Sequence, residues 1–484
     1  MLASEAGARA RALAASRLGL DFQERRQADL ERGLLRAWRA SPLPTPEAYL
    51  AWLEALPDEN PEWGRLAGWL TVGETYFFRD RACVEALERE VLPSLIAARR
   101  AEGIPRLRLW SAGCSTGEEP CTLAILLDRL LPDRAAWSIT VLATDINLEA
   151  LESARRGLYR EWALRETPAW TREKYFRRRD AQTFELDPGV RRMAAFAPLN
   201  LAADIYPSML TNTSSMDLIL CRNVLMYFTR GAQRAAVARL RRALAPGGWL
   251  VASPAEASTE LFRPLAPVNF PGAIFYRNGP ASAPPLPRTW EEEPARPPWP
   301  GPLPPVEIPA APIPPAAPLE SVLPGNEEKA PEPAPGTETL LQQGRSLAGR
   351  GELEKARRLC EAALAQERLD AEANLLLAEI CLEQGEIAAA LEALRTAIYL
   401  APDSVPAHFL LGGILLREGD HKRGRRAMET VARLLEPAPP GEVVPGSDGL
   451  TAGRLLETAR AHLDLQAMDG RGDARRAWKP EEVR

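Results

Sequence analysis

The chain has 484 residues, 46% of them apolar and 26% charged, which is too long for a single core and predicts two or three domains. The formal net charge is only −5, with 37 Lys and Arg against 33 Asp and Glu in residues 1–278 and 23 against 32 in the remainder. The first part can therefore meet an acidic partner, but it lacks the dense basic stripe of a nucleic-acid binder, and no nucleic-acid partner is expected.

The N-terminus, MLASEAGARARALAASRLGL, has no apolar run long enough for a secretory signal. No later segment reaches the roughly 20 apolar residues that span a bilayer. A cytoplasmic protein without direct membrane insertion is expected. Residues 1–90 are helical in pattern, with Leu30, Leu34, Leu35 and Trp38 at helix spacing. TVGETYFFRD (Thr71–Asp80) sets polar side chains between aromatics just ahead of an α/β region, residues 91–278. There LRLW, TVLATD, MDLILC and GWLVAS are short apolar runs, as strands of a buried parallel sheet should be. Ala245-Pro246-Gly247-Gly248 turns a helix into the last of them, and VNFPGAIFYR closes the region as a strand or hairpin.

Residues 279–336 form a proline-rich stretch, with 20 of the chain's 45 prolines between 280 and 336. Such a segment cannot make helix or sheet ladders and predicts an extended, semi-rigid linker, the alternative being a ligand for a proline-binding module. In residues 337–470 a repeat appears. Gly351, Gly385 and Gly419 are spaced by 34 residues, and Ala356 with Ala390, Leu364 with Ile398 and Ala373 with Ala407 keep that interval. Two amphipathic helices per repeat, with a small residue where they cross, resemble tetratricopeptide repeats. The spacing predicts about two and a half of them and a capping helix near Gly453–Met468; a plain antiparallel bundle is the alternative. Residues 471–484 are expected to be a disordered tail.

The chemistry concentrates in RLRLWSAGCSTGEEPCTLAILL (Arg106–Leu127) and VLATDIN (Val141–Asn147). These read as strand, glycine-bearing turn and helix, then a strand ending in an acid. Gly113 and Gly117 let backbone pass close to a ligand, and the following helix presents its free N–H groups there. Asp145, at a strand's carboxyl end, can accept from both hydroxyls of a ribose. GCSTG is neither GxGxxG nor a P-loop, which argues against a dinucleotide or a nucleoside triphosphate. The six cysteines show no zinc spacing and read as buried thiols. The three histidines (His408, His421, His462) all lie in the last quarter. The first 278 residues thus work without a histidine base, and no metal site is expected.

With LILCRNVLMYF (Leu218–Phe228) added, the segments ETYFFRD, SAGCSTGEEP, ATDIN, APLNL and CRNVLMYF resemble, in order, the CheR family. Its members are S-adenosylmethionine-dependent methyltransferases that esterify glutamates of bacterial chemoreceptors. The resemblance runs from about Gly19 to Arg277. It implies an α/β fold: an N-terminal helical subdomain, a Rossmann-like class I methyltransferase domain with a small β-subdomain, the linker, and an all-α repeat domain. It implies that Gly73, Thr75 and Arg79 lie over the cofactor, and that Glu119 and the turn from Ala112 and Gly113 to Thr116 hold its methionine end. Asp145 would take the ribose, Asn200 and Leu201 the adenine, and Arg222 and Asn223 would reach it from the fourth strand of the sheet. Arg79 and Tyr227 would act at the methyl group. One departure is Gly73, where chemotaxis members often carry an asparagine that touches the cofactor; backbone contacts remain. The small β-subdomain is expected at Tyr175–Asn200, without the glycine-bearing loop of peptide-binding members. A CheR domain followed by a proline-rich linker and repeats resembles methyltransferases of alternative chemosensory systems, Wsp-type included.

The implied chemistry agrees with the residue inventory. A glutamate carboxylate, with an ordinary pKa of about 4.3, is ionised at neutral pH and needs no base. What remains is alignment and exclusion of water. Arg79 can orient the carboxylate through both of its oxygens; a surface ion pair with Asp80 or Glu74 is the alternative, and core packing is the alternative for Tyr227. The expected partner is the cytoplasmic domain of a methyl-accepting chemoreceptor, with an unidentified protein on the repeats. A non-catalytic adaptor of a chemosensory array is the competing reading, opposed by the intact set Arg79, Glu119, Asp145, Asn200, Asn223 and Tyr227.

Overall fold

The computed structural model describes residues 4–23, 26–56, 60, 62–71, 73–279, 336–349 and 351–469. All but the end residues of the expected linker, and the expected tail, lie outside the described residues. The chain opens with helices α1 (Ser4–Leu18), α2 (Gln27–Arg39), α3 (Pro46–Ala55) and α4 (Glu62–Leu70). Thr45 caps α3 by accepting from the Ala48 N–H, with Pro46 in the first turn where its missing donor costs nothing. In α2 the buried positions Leu30, Gly33, Leu34 and Ala37 form one stripe. Gly33 lets that stripe press on α4; a Cβ there would stand 2.6 Å from Leu70.

Helices α5 (Arg81–Ala86) and α6 (Leu92–Ala101) are joined by a π turn, Leu87–Val91, into one run. The expected boundary between residues 90 and 91 therefore falls inside a helix. Pro93 does not interrupt it, because it sits in the first turn after the π turn, where its missing N–H breaks no regular hydrogen bond.

The main sheet contains β1 (Arg106–Ala112), β2 (Ser138–Asp145), β6 (Ala194–Pro198), β7 (Met216–Leu220), β8 (Leu244–Val251), β9 (Ala266–Phe270) and β10 (Ala273–Arg277), in the order β6-β2-β1-β7-β8-β10-β9. The first five are parallel, and β8, β10 and β9 pair antiparallel. Between the strands run α7 (Glu118–Leu130), α8 (Leu148–Arg156), α9 (Ala169–Tyr175), α10 (Pro188–Arg191) and α11 (Arg230–Ala243). Side chains alternate between two faces. Trp110, Leu142, Ile219 and Leu250 join α11 and the N-terminal helices. Leu109, Val141, Leu218 and Val251 join α6 and α7. The strand order reverses between β1 and β7, which opens a crevice at their carboxyl ends.

A second sheet, β3-β5-β4, is built from β3 (Leu158–Arg160), β4 (Phe176–Arg178) and β5 (Thr183–Leu186). The small subdomain thus starts earlier and ends earlier than the expected Tyr175–Asn200. Leu158–Arg160 supplies its first strand, too short to stand out as an apolar run, and Ala194–Pro198 pairs instead with β2 of the main sheet.

The repeat region holds three helix pairs, not two and a half: α12 (Thr337–Gly349) with α13 (Leu353–Gln366), α14 (Ala371–Gln384) with α15 (Ile387–Leu400), and α16 (Val405–Arg417) with α17 (His421–Leu435). Helix α12 escapes the repeat spacing because Thr339 stands where the later pairs have Ala373 and Ala407. Gly351, Gly385 and Gly419 take left-handed backbone at the end of each first helix (φ +79°, +81° and +84°). The segment after α17 folds back over α14 and α16, burying Val444 and Leu450, before α18 (Ala452–Asp469) closes the stack.

Candidate active site

A cavity lies at the reversal of strand order, lined by segments far apart in the chain. From before the sheet come Gly73, Thr75 and Arg79; from the turn after β1, Gly113, Cys114 and Ser115, and from the start of α7, Glu119; from the end of β2, Asp145 and Asn147; from beyond β6, Asn200 and Leu201; and from beyond β7, Arg222, Asn223 and Tyr227. Apart from Thr116 at the end of the expected turn, the structure thus gathers every expected site residue except Ala112. That residue is buried in the core face of β1 and does not line the cavity. In a strand successive side chains face opposite ways, so its neighbour Ser111 serves the site instead, donating to Glu119 at 2.7 Å.

The stretch Gly73–Asp80 is stapled across the cavity at several points. The Ser115 hydroxyl donates to the Gly73 carbonyl (3.0 Å), and Thr122 accepts from the Phe78 N–H (3.2 Å). The Phe77 N–H donates to the Ala163 carbonyl, and its ring meets Tyr159 and Phe176 edge-on at 4.7 and 4.8 Å. The far end is fixed by Arg222, which donates to Glu119 (3.2 Å), the Arg79 carbonyl (2.9 Å) and Asp80 (3.3 Å). Burial works against the Arg222 charge, but Cys83, Glu119 and Asp80 around it hold the guanidinium above its usual range. Arg222 is therefore committed mainly to holding the wall together. Asp80 is paired with Arg222, and the Arg79 guanidinium donates to the Glu74 carbonyl at 2.8 Å. No ion pair joins Arg79 to Asp80 or Glu74 among the described residues.

Asp145 accepts from the Ser115 N–H (2.8 Å) through one oxygen and the Asn147 N–H (2.9 Å) through the other. Burial pushes its pKa up, and the N–H groups of Asn147, Ser115 and Ile146 work against that. The carboxylate keeps acceptor capacity beyond these bonds and lines the cavity, which suits a ribose diol. Glu119, with one oxygen on Ser111 and one on Arg222, offers a fixed carboxylate for an ammonium. Apolar Ile146, Leu199 and Leu201 supply surface for a base. The donor set therefore fits S-adenosylmethionine. At Gly73 an added Cβ would stand 3.3 Å from the Ser115 hydroxyl, so an asparagine there would crowd that staple.

Tyr227 lies in the lining, with the Arg26 guanidinium 5.1 Å from its ring centre. What holds its loop is Glu256, which sequence reasoning missed. Buried, it accepts from the N–H groups of Asn223 (2.7 Å), Val224 (2.8 Å), Met226 (3.2 Å) and Ser253 (3.1 Å), and from the Ser253 hydroxyl (2.6 Å). The available signal was Ser253-Pro-Ala-Glu256, a capping box at the end of β8. Arg165 was also missed; its guanidinium lies over Tyr76, a lining residue, at 3.6 Å, and over Trp162 at 4.1 Å.

Residues 73–265 match the model of the CheR methyltransferase, SAM binding domain, and residues 341–405 match a tetratricopeptide repeat. The chain is 31% identical over 441 residues to the probable biofilm formation methyltransferase WspC of Pseudomonas aeruginosa, covering 86% of this chain and 96% of that protein. It is 33% identical over 212 residues to chemotaxis protein methyltransferase 1 of the same species, covering 43% of this chain and 74% of the relative. With chemotaxis protein methyltransferase 2 of Vibrio cholerae the identity is 33% over 192 residues, 40% of this chain and 65% of the relative. Among the described residues no helix is long and apolar enough to cross a membrane.

Proposed function

The chain belongs to the CheR family of S-adenosylmethionine-dependent methyltransferases and carries tetratricopeptide repeats, and on that premise we propose that it esterifies glutamate side chains in the cytoplasmic domain of a methyl-accepting chemoreceptor. The observation that carries this reading is a cavity whose wall joins two acids, Glu119 and Asp145, to Arg79 and Tyr227 without a histidine. S-adenosylmethionine, when bound, supplies a methyl group already activated by its sulfonium. Asp145 holds the ribose, Glu119 the methionine ammonium, and Asn200 with Leu201 the adenine. Gly73, Thr75, Gly113 and Asn223 close round the donor.

The acceptor arrives as a carboxylate, so the chain's task is positioning and exclusion of water. Arg79 carries no carboxylate partner among the described residues, so its guanidinium is available to pair with both oxygens of the incoming glutamate. The Phe77 and Phe78 backbones fix the segment that presents it. Tyr227, braced through Glu256, closes the methyl side. The repeat domain, residues 337–470, serves for docking or regulation by a protein partner, as in sensory pathways of the Wsp type.

Transfer of labelled methyl to membranes containing candidate receptors tests this. Base-labile label on receptor protein is expected; label on a small molecule or on nucleic acid, or base-stable label, would overturn the acceptor assignment.

A further inference from the structure

Helix α18 packs on α17 along one side, and along the other it leaves the repeats and packs on α8 and β6 of the catalytic domain. Leu465 is fully buried there, in a cluster with Cys114, Ala143, Leu148 and Leu151. Cys114 lines the cavity, and Leu148 directly follows the lining residues Asp145, Ile146 and Asn147. The residue beside Leu465, Asp464, reaches Arg65 of α4 at 3.7 Å. Helix α4 flanks α8 from another direction: Gly68 faces the Asn147 side chain and Gly64 the Ile146 carbonyl. The loop that bears Asp145 thus leads into a helix wedged between an N-terminal helix and the last helix of the repeat domain. A second contact holds the domain at the opposite ends of the same strands. Arg106 at the start of β1 donates to the Glu383 carbonyl of α14, and Gly385 packs on Ser138 at the start of β2.

We propose that α18, through Leu465, is a positioning element of the methyl-donor site: docking of the repeat domain fixes the Cys114 turn and the Asp145–Asn147 loop and so sets cofactor affinity. Close-packed interiors transmit displacement, because a side chain withdrawn from a filled cluster leaves its neighbours without support. Cys114 and Leu148 are those neighbours. A protein that bound the repeats and drew α18 away from α8 would weaken cofactor binding without touching the cavity. This rests on the assignment of the cavity to S-adenosylmethionine.

The test uses the full chain with Leu465→Asp, Leu465→Ala and, as a control of equal destabilisation inside the repeats, Val431→Ala. Titration calorimetry with S-adenosylhomocysteine reads affinity, and steady-state kinetics separate KM for the cofactor from kcat at saturating cofactor. Leu465→Asp is expected to raise Kd and KM at least about tenfold, and Leu465→Ala about threefold, with kcat held within about twofold. Val431→Ala is expected to lower the melting temperature while leaving Kd unchanged. Should Leu465→Asp prove insoluble, Leu465→Ala decides alone. Wild-type affinity in the Leu465 variants, or an equal loss in Val431→Ala, overturns the proposal. Failure of the wild-type chain to bind the cofactor product would instead overturn the assignment of the cavity.

Discussion

Phe78, Asp80, Ser115 and Asn223, in and beside the cavity, all hold left-handed backbone, with φ between +50° and +66°. In the helix pairs from α12 to α17, the described left-handed residues are the three glycines Gly351, Gly385 and Gly419. A side chain in that conformation costs on the order of 1–3 kcal/mol and persists only where its surroundings over-determine it; glycine takes it freely. The surroundings differ accordingly. At the cavity, hydrogen bonds link residues tens of positions apart, such as Arg222 to Glu119 and Ser115 to Gly73. In the repeats, neighbouring helices of contiguous chain meet over small residues, such as the fully buried Ala356 and Ala390. Strain held by polar staples belongs to a place that must present side chains in fixed directions, and unstrained packing to one that must only stack.

The sharpest way to break this contrast is to remove the staple with the most bonds. Glu256→Ala would leave the N–H groups of Asn223, Val224, Met226 and Ser253 without their acceptor, at about 1–3 kcal/mol for each one that stays buried. Turnover is expected to fall at least about a hundredfold, with a melting temperature lowered by several degrees. Glu256→Gln keeps one acceptor oxygen and should lose less of both. Near-wild-type kinetics in the alanine variant would show that the Asn223–Tyr227 loop holds its shape unaided.

Asp145→Ala comes next. A buried diol losing a charged acceptor forfeits about 1.5–3 kcal/mol, so calorimetry should show affinity for S-adenosylhomocysteine reduced roughly ten- to a hundredfold. Unchanged affinity would reject the ribose assignment. Arg79→Ala should act on the other substrate, cutting kcat/KM for receptor about tenfold while the cofactor Kd moves less than twofold. Arg79→Lys should recover only part, since an ammonium cannot pair with both carboxylate oxygens in one plane. Equal loss in both constants would make Arg79 a wall residue like Arg222.

The same contrast explains what could be read from residue order. The repeats were legible because glycine and alanine at a fixed period state their geometry locally; only α12, with Thr339 in place of the alanine, escaped. The core strands were legible as apolar runs, while Leu158–Arg160, three residues with two exposed, carried no such signal. The site's motifs named residues but not orientations. Alternation in β1 turns Ala112 into the core and Ser111 to Glu119, and a motif cannot show which of two neighbours bonds a residue of the cavity wall. The capping box marks Glu256 at a helix start, but its role at the site could not be read, because its other partners are backbone N–H groups some 30 residues earlier, which no side-chain pattern records.

Within the repeats the packing side of the contrast can be broken by a single methyl. Gly424 lies inside α17, where alanine would ordinarily favour the helix by up to about 1 kcal/mol. A Cβ there would stand 2.7 Å from the Leu416 side chain and 3.0 Å from its backbone nitrogen. Overpacking of that kind costs about 1–3 kcal/mol, so Gly424→Ala is expected to lower stability by about 1 kcal/mol in chemical denaturation. A stabilised variant would mean that α16 and α17 can spread, and that the stack is looser than its buried alanines imply.

The smallest effect is expected where the two regions meet. His462 on α18 faces Phe409 of α16, and its Nδ1 is buried with no hydrogen-bond partner among the described residues. Burial, helped by the nearby Arg155 charge, pushes its pKa down from 6.5 to about 3. Below pH 6.5 the unfolded chain therefore binds a proton that the folded chain refuses. Stability is fully present above pH 6.5 and is lost as pH falls toward 3. Because the ring is only partly buried, solvent softens the penalty, and about 1 kcal/mol is expected between pH 7 and 5.5. Glu118, buried and pushed up to about 7, takes up its proton in the same window in both proteins and with the opposite sign, so the His462 share is the part of the change that His462→Gln removes. If thermal melts at the two pH values separated equally in both proteins, the proton would be binding elsewhere, and the junction at α18 would be wetter or better bonded than its unpartnered nitrogen implies.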